Sequence, residues 1–165
     1  MPPQKTSPPF DRQRLEEFMR LALQEAHLGL EEGEIPSGVV VVDSEGTLVS
    51  RAHNQVIALS DPTAHAEILA LRQAGKIFKN YRLEGLTLIS TFEPCPMCLT
   101  AAIHARVPYL VFGAPVPKWG ALGSFCDLTA LPGWNFIFQH IEKGVLEDLC
   151  ASLIQEFFRK KRAKI

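Results

Sequence analysis

The chain has 165 residues, enough for one domain with one core, and 47% of them are hydrophobic, as a packed interior requires. Its formal net charge is −1, so whole-chain charge gives no support for nucleic-acid binding and any such signal must be local. The longest apolar runs, such as Gly38 to Val42 and Tyr109 to Phe112, are far too short to span a bilayer, and no membrane association is expected.

Met1 to Phe10 is rich in proline and polar residues and lacks the apolar core of a signal peptide. That predicts a flexible tail over residues 1–10 on a cytoplasmic chain. From Asp11 to Glu32, apolar residues at Leu15, Phe18, Met19, Ala22, Leu23, Ala26 and Leu30 keep a helical period, with Asp11 as N-cap and Gly33 as stop. Ser37 to Val42, the Glu45-Gly46 turn and Thr47 to His53 predict a hairpin. Asp61-Pro62-Thr63 opens a helix over Ala64 to Gly75 that begins close to His65. Leu86 to Thr91 reads as a buried strand, and Pro94 and Pro96 mark its junction with a helix over Met97 to Ala105. Val107 to Phe112 is a further strand. Pro115 to Gly133 reads as a long loop with one short turn, Phe136 to Ile141 as the last strand, and Glu147 to Arg162 as a closing helix. The order α-β-β-α-β-α-β-β-α places the chain in the α/β class, with a mixed sheet covered by helices on both faces. Residues 11–165 are expected to form a single domain.

The chemistry is carried by His65-Ala66-Glu67 and, about one strand later, Pro94-Cys95-Pro96-Met97-Cys98. Both pieces fall at predicted helix N-termini. Cysteines at i and i+3 share a helical face, so their sulfurs can converge on one ion. Zinc suits a set of two thiolates and an imidazole, and a helix N-terminus favours thiolate over thiol. Three protein ligands leave one position open, the mark of a catalytic zinc, at which water becomes acidic enough to react near neutral pH. Glu67, two residues past His65, reaches the space beside the metal without ligating it, and its carboxylate can shuttle the proton. This H-x-E and P-C-x-x-C combination is a stated signature of zinc deaminases. The domain at 11–165 is therefore expected to be a zinc deaminase domain.

Two other readings of these residues stand beside this one. A structural zinc needs a fourth protein ligand, for which His53, His104 or Cys126 would serve. A redox CxxC would leave the H-x-E unexplained and has the wrong element order. Cys126 and Cys150 are isolated and read as small buried hydrophobes. Trp119 and Trp134 lie in loops, where they either stack on a base or cap a core.

At these residues the chain resembles the cytidine deaminase-like superfamily, and within it the bacterial tRNA adenosine deaminases that convert a wobble adenosine to inosine. Similar stretches are Glu34-Ile35-Pro36, Asp61 to Glu67, Asn80-Tyr81-Arg82-Leu83, Glu93 to Cys98, Ile103 to Arg106, Val111-Phe112-Gly113 and Gly120 to Ser124. The tail Phe157-Phe158-Arg159 with Lys161-Arg162 is similar too. The resemblance implies a three-layer α/β/α sandwich with a mixed five-stranded sheet, a homodimer, and one zinc ion per subunit. It implies an anticodon loop as partner, with Glu67 catalytic and His65, Cys95 and Cys98 on the metal. It further implies substrate contacts from Asn54, Ala66, Pro94, Lys118, Ser124, Phe157 and Arg159. Read without it, Asn54 is equally a strand-end turn residue, and Glu93 is a helix-entry residue that packs or bonds.

Two positions depart from the family pattern. Ala114-Pro115-Val116-Pro117-Lys118-Trp119 lacks the acidic residue usual before the lysine, and Ser37 replaces a more usual apolar residue. Three substrates therefore stand open. The basic cluster Arg159, Lys160, Lys161, Arg162 and Lys164 favours phosphates of tRNA. The missing acid and near-neutral charge favour a free purine, as in guanine deaminases of the same superfamily, with a cytosine-type substrate third.

Overall fold

The computed structural model describes residues 7–165. Residues 1–6 of the expected tail lie outside the described residues. At the end of that tail Phe10 is packed, its ring 5.1 Å from that of Phe18 in an edge-on contact. Asp11 caps the first helix, α1 (Arg12–Glu31), by accepting from the Arg14 N–H at 2.8 Å. Past its end Gly33 takes φ +82°, a left-handed turn that suits glycine.

The strands are β1 (Gly38–Val42), β2 (Leu48–His53), β3 (Thr87–Phe92), β4 (Tyr109–Ala114) and β5 (His140–Lys143). They form one sheet in the order β2-β1-β3-β4-β5. β1 pairs antiparallel with β2 and β3, while β3 with β4 and β4 with β5 are parallel. The expected mixed five-stranded sheet and three-layer sandwich are both present.

The other helices are α2 (Ala66–Phe78), α3 (Pro96–His104) and α4 (Glu147–Ala163). α1 and α4 cover one face of the sheet, where Val40, Val42, Ile89 and Val111 pack with Met19, Ala22, Cys150 and Leu153. α2 and α3 cover the other, where Val39, Val41 and Leu88 pack with Ala70, Ala74 and Ala102. β1 is buried along its whole length, which is why it reads as an unbroken β-branched run and not an alternation. α1 lies so close to β1 that a Cβ at Gly38 would stand 1.9 Å from the Ala22 carbonyl oxygen. Cys150 sits fully buried among these apolar side chains, as its isolation in sequence suggested.

The structure moves one strand. The last strand is His140–Lys143, not Phe136 to Ile141, because Phe136 and Phe138 do not join the ladder. They pack edge-on to each other at 6.2 Å and plug the core beneath α3. Pairing starts only at Tyr109 opposite His140. The long loop before it holds one 3-10 turn, Leu128–Ala130. Among the described residues no helix is long and apolar enough to cross a membrane.

Gly38→Ala should cost about 1–3 kcal/mol, the usual range for overpacking a core. The urea midpoint should fall with the slope unchanged, since native burial is otherwise preserved.

Candidate metal centre and its cavity

The residues between β2 and α2 and between β3 and α3 end in the same way. His65 is the N-cap of α2 and Cys95 is the N-cap of α3, both with extended backbone and neither side chain capping its helix. Asp61 does the local turn work instead, accepting from the Thr63 N–H and hydroxyl at 2.8 and 2.7 Å. α2 therefore starts at Ala66, two residues later than Asp61-Pro62-Thr63 implied. Freed from capping, the two side chains turn toward each other. His65 Nδ1 lies 3.6 Å from Cys95 Sγ and 3.5 Å from Cys98 Sγ.

These distances are those of a metal shell. Zinc bound tetrahedrally by sulfur at about 2.3 Å and nitrogen at about 2.0–2.1 Å sets the two atoms about 3.6 Å apart. Among the described residues His65, Cys95 and Cys98 are the group whose donor atoms converge in this way. None of the three alternative fourth ligands joins them. His53 is bound by Glu25 and Glu32, His104 stands edge-on to Trp134 at 6.5 Å, and Cys126 lies in the loop after β4. A three-donor site with room for water is a catalytic arrangement. The donors are electronically prepared as well. Hydrogen bonding with Cys98 and then with His65 lowers the Cys95 pKa to about 4. Cys98 is pushed up in consequence, and the hydrogen bond with Cys95 raises His65.

Glu67 is the second residue of α2 and is 5% exposed. Its Oε1 accepts from the Ser90 hydroxyl at 3.3 Å and its Oε2 from the Cys98 thiol at 3.4 Å. Burial raises its pKa above the ordinary glutamate range, which suits a group that must both take and give a proton near neutral pH. Ser90 carries no signal in the sequence beyond being a polar residue in an apolar strand.

A cavity of about 400 Å³ opens on this cluster, walled by His65, Glu67 and Cys95. It sits beyond the carboxyl ends of the parallel strands β3 and β4, where open α/β sheets place ligands. Asn54 and Lys118 line it, and so does Trp119, at 42% exposure. Asn54 is 7% exposed, and no described group hydrogen-bonds its side-chain amide. The other expected contacts lie off the wall. Ala66 is fully buried in the core beneath α2, and the Pro94 carbonyl is taken by the Ala121 N–H. Ser124 is exposed and spends its N–H on Glu93, and Arg159 is exposed on α4. Phe157 is 8% exposed and packs inward, whereas Phe158, together with Ala151 and Ile154, lines the cavity. Trp134 caps a core, its indole N–H donating to the Leu128 carbonyl at 2.8 Å.

Glu93 shapes the wall that Lys118 and Trp119 occupy. Buried at 2% exposure, it accepts from the N–H groups of Val116, Leu122 and Ser124 at 3.0, 2.9 and 3.1 Å. Gly120 is required by this carboxylate, since a Cβ there would come within 2.3 Å of it. Burial alone would raise the Glu93 pKa, but the hydrogen bonds from Ser124, Val116 and Leu122 outweigh it and hold it low.

The family model for the cytidine and deoxycytidylate deaminase zinc-binding region matches residues 12–114. The chain belongs to this family. It is a zinc-binding hydrolytic deaminase, and the metal cluster and Glu67 both lie inside the matched region. The deaminase is 43% identical over 147 residues to a tRNA-specific adenosine deaminase of Haemophilus influenzae, covering 89% of this chain and 84% of that one. A Bacillus subtilis protein of the same name is 40% identical, covering 89% and 90%. Among solved structures, one from work on A-to-I editing by tRNA:A34 deaminases superposes with TM-score 0.80 at 37% identity, over 83% of this chain and 98% of that one. A guanine deaminase from Nitrosomonas europaea gives 0.72 at 25% identity, over 93% and 94%.

Glu93→Gln replaces an acceptor with an NH2 group facing backbone donors, and should destabilise the deaminase by about 1–3 kcal/mol on urea unfolding. The low Glu93 pKa also sets a sign. Its contribution is complete above the ordinary glutamate value of about 4.3 and is lost as pH falls through the lower folded value. The variant's stability should therefore depend less on pH below about 4 than that of the unsubstituted chain.

Proposed function

We propose that this deaminase converts adenosine to inosine at the wobble position of tRNA, with His65, Cys95 and Cys98 holding the zinc and Glu67 moving the proton. The observation that carries the reading is the buried, hydrogen-bonded Glu67 beside a three-donor cluster at the floor of an open cavity. The tRNA assignment is supported by relatives at about 40% identity over most of the chain.

Zinc held by His65, Cys95 and Cys98 would supply the Lewis acidity that makes water reactive near neutral pH. Glu67 takes a proton from that water as its oxygen bonds to the ring carbon bearing the amino group. The same carboxyl passes that proton to the adjacent ring nitrogen, then takes the second proton from the added hydroxyl and gives it to the leaving amine. The carbon–nitrogen bond breaks, ammonia departs, and a carbonyl replaces the amino group. The Ser90 hydroxyl holds Glu67 in place for both transfers. Asn54, with its amide free toward the cavity, fixes the substrate's orientation.

Three features of the cavity fit a nucleotide presented from a larger molecule. Its wall includes exposed Lys118, Trp119 and Phe158, so the mouth opens to solvent and offers aromatic faces to a splayed base. α4 runs from that wall directly into exposed Arg159, Arg162 and Lys164. Cations there can meet phosphates flanking the flipped nucleotide. A free purine is the second reading, favoured by the structural likeness to guanine deaminase and by the acid missing from the loop before Lys118. We also infer a homodimer, for which exposed Ile77, Phe78 and Tyr81 offer an apolar face, and a cytoplasmic location, where tRNA is modified.

Glu67→Gln should keep fold and zinc content while turnover falls about 10²–10⁴-fold, as for loss of a general acid-base. Wild-type turnover in that variant would sink the mechanism. An anticodon stem-loop bearing adenosine at the wobble position should yield inosine, whereas guanine and adenine should release little ammonia. Free-base turnover with no inosine would overturn the tRNA assignment. Replacing Arg159, Arg162 and Lys164 by alanine should weaken stem-loop binding and flatten its salt dependence, by about one unit of slope for each phosphate no longer neutralised.

A further inference from the structure

Asn54 follows an edge strand, since among the described residues β2 has a partner only in β1. Its own backbone is held by one hydrogen bond, from its N–H to the Ser37 carbonyl at 3.1 Å. After it, buried Glu34 accepts from the N–H groups of Ile57 and Ala58, both at 2.8 Å. Before it stands His53, whose ring turns to α1 and lies close enough to touch a Cβ placed at Gly29.

Both ring nitrogens of His53 face carboxylates. Nδ1 lies 2.9 Å from Glu25 Oε2, and Nε2 lies 2.9 Å from Glu32 Oε2. An ionised carboxylate only accepts, so both nitrogens must donate, and only the imidazolium has two N–H groups. Glu25 is 6% exposed and also binds Arg51, two residues earlier on the same side of β2. Among the described residues, the charged groups facing His53 are therefore Glu25 from α1, Glu32 just past its end and Arg51 from β2. β1 contributes only Gly38 opposite it. With His53 protonated the four charges sum to zero. Deprotonation leaves an uncompensated negative charge and one carboxylate without its donor.

On the reading of Asn54 as a substrate contact, we propose that His53, clamped as an imidazolium between Glu25 and Glu32, is a positioning residue that sets Asn54 against the substrate and makes substrate binding pH-dependent. Successive residues of a strand point to opposite sides, so fixing the His53 ring on α1 fixes the direction in which Asn54 leaves the sheet. Burial of the ring lowers its pKa, but the hydrogen bonds to Glu25 and Glu32 and the charges of both outweigh it, so the value is raised. The clamp is thus complete below the ordinary histidine value of about 6.5 and is lost as pH rises through the higher folded value.

The test uses the zinc-loaded full chain with the adenosine stem-loop, or with guanine if the stem-loop is not turned over. Ring-nitrogen NMR of the unsubstituted protein should show two N–H groups on His53 and a titration above about 6.5. KM should rise through that same transition while kcat holds, the signature of weakened binding with intact chemistry. Glu32→Gln should move the transition to lower pH. His53→Phe should keep zinc content, raise KM about tenfold and abolish the transition, a smaller loss than the ~100-fold that a 1 Å misplacement causes. A neutral His53 ring at pH 6, or an unchanged KM profile in both variants, would overturn the proposal. Asn54→Ala separates the two layers. If it leaves KM at the unsubstituted value, the substrate role of Asn54 fails and takes the clamp's function with it. If it raises KM while His53→Phe does not, only the clamp is wrong.

Discussion

Three donor atoms must meet at the spacing of one tetrahedral ion, and they come from two helix starts whose first ligands are thirty residues apart in the chain. This constraint explains several otherwise separate choices. His65 and Cys95 occupy N-cap positions without capping, although a capping side chain is worth about 1 kcal/mol at each helix. Where a site forms only on folding, metal binding adds to folding free energy and offsets the two missing caps. The sheet supplies the geometry. β2 and β3 both run antiparallel to β1 and so point the same way, and α2 and α3, which follow them on one face, present their N-termini at the same end of the sheet.

Around that point the protein buries four glutamates among the described residues and gives each a different set of partners. Glu93 takes three backbone N–H groups and holds a loop. Glu34 takes two and holds another. Glu25 takes Arg51 and His53 and ties a strand to a helix. Glu67 takes no backbone donor from another residue, only a hydroxyl and a thiol, and its pKa is raised where that of Glu93 is lowered. Identical side chains thus differ in the direction of their pKa shift according to how many amide dipoles stabilise the anion. A carboxylate ringed by N–H groups is a poor shuttle, and one with weak partners in a dry site is a good one.

The walls are hung from these framework acids. The loop with Lys118 and Trp119 keeps its shape through Glu93, and the segment after Asn54 through Glu34. α4 closes the remaining side with Ala151, Ile154 and Phe158. An open mouth with aromatic faces and a basic helix beyond it suits a base delivered on a polynucleotide.

The metal ligands and Glu67 were legible because their chemistry depends on local spacing, one residue between His65 and Glu67 and two between Cys95 and Cys98, which helix geometry converts directly into convergence. Element order was legible because periodicity survives without knowledge of partners, as in α1 and in the buried run of β1. The cavity wall was not. Periodicity says that Phe157 and Phe158 lie on α4, but only docking of that helix decides that Phe157 packs inward and Phe158 faces the substrate space. The last strand slipped for a related reason, since Phe136 and Phe138 are apolar to fill a core and not to pair. The holding roles of Glu34, Glu93 and His53 were not legible, and His53 read as a candidate fourth zinc ligand and Glu93 as a helix-entry residue, because their partners lie more than twenty residues away. By itself the sequence picked out the pairs His65 with Glu67 and Cys95 with Cys98, because each pair is set within a turn of helix. The tertiary structure alone decided what surrounds them, because a buried charge takes its role from neighbours that the chain brings together only on folding.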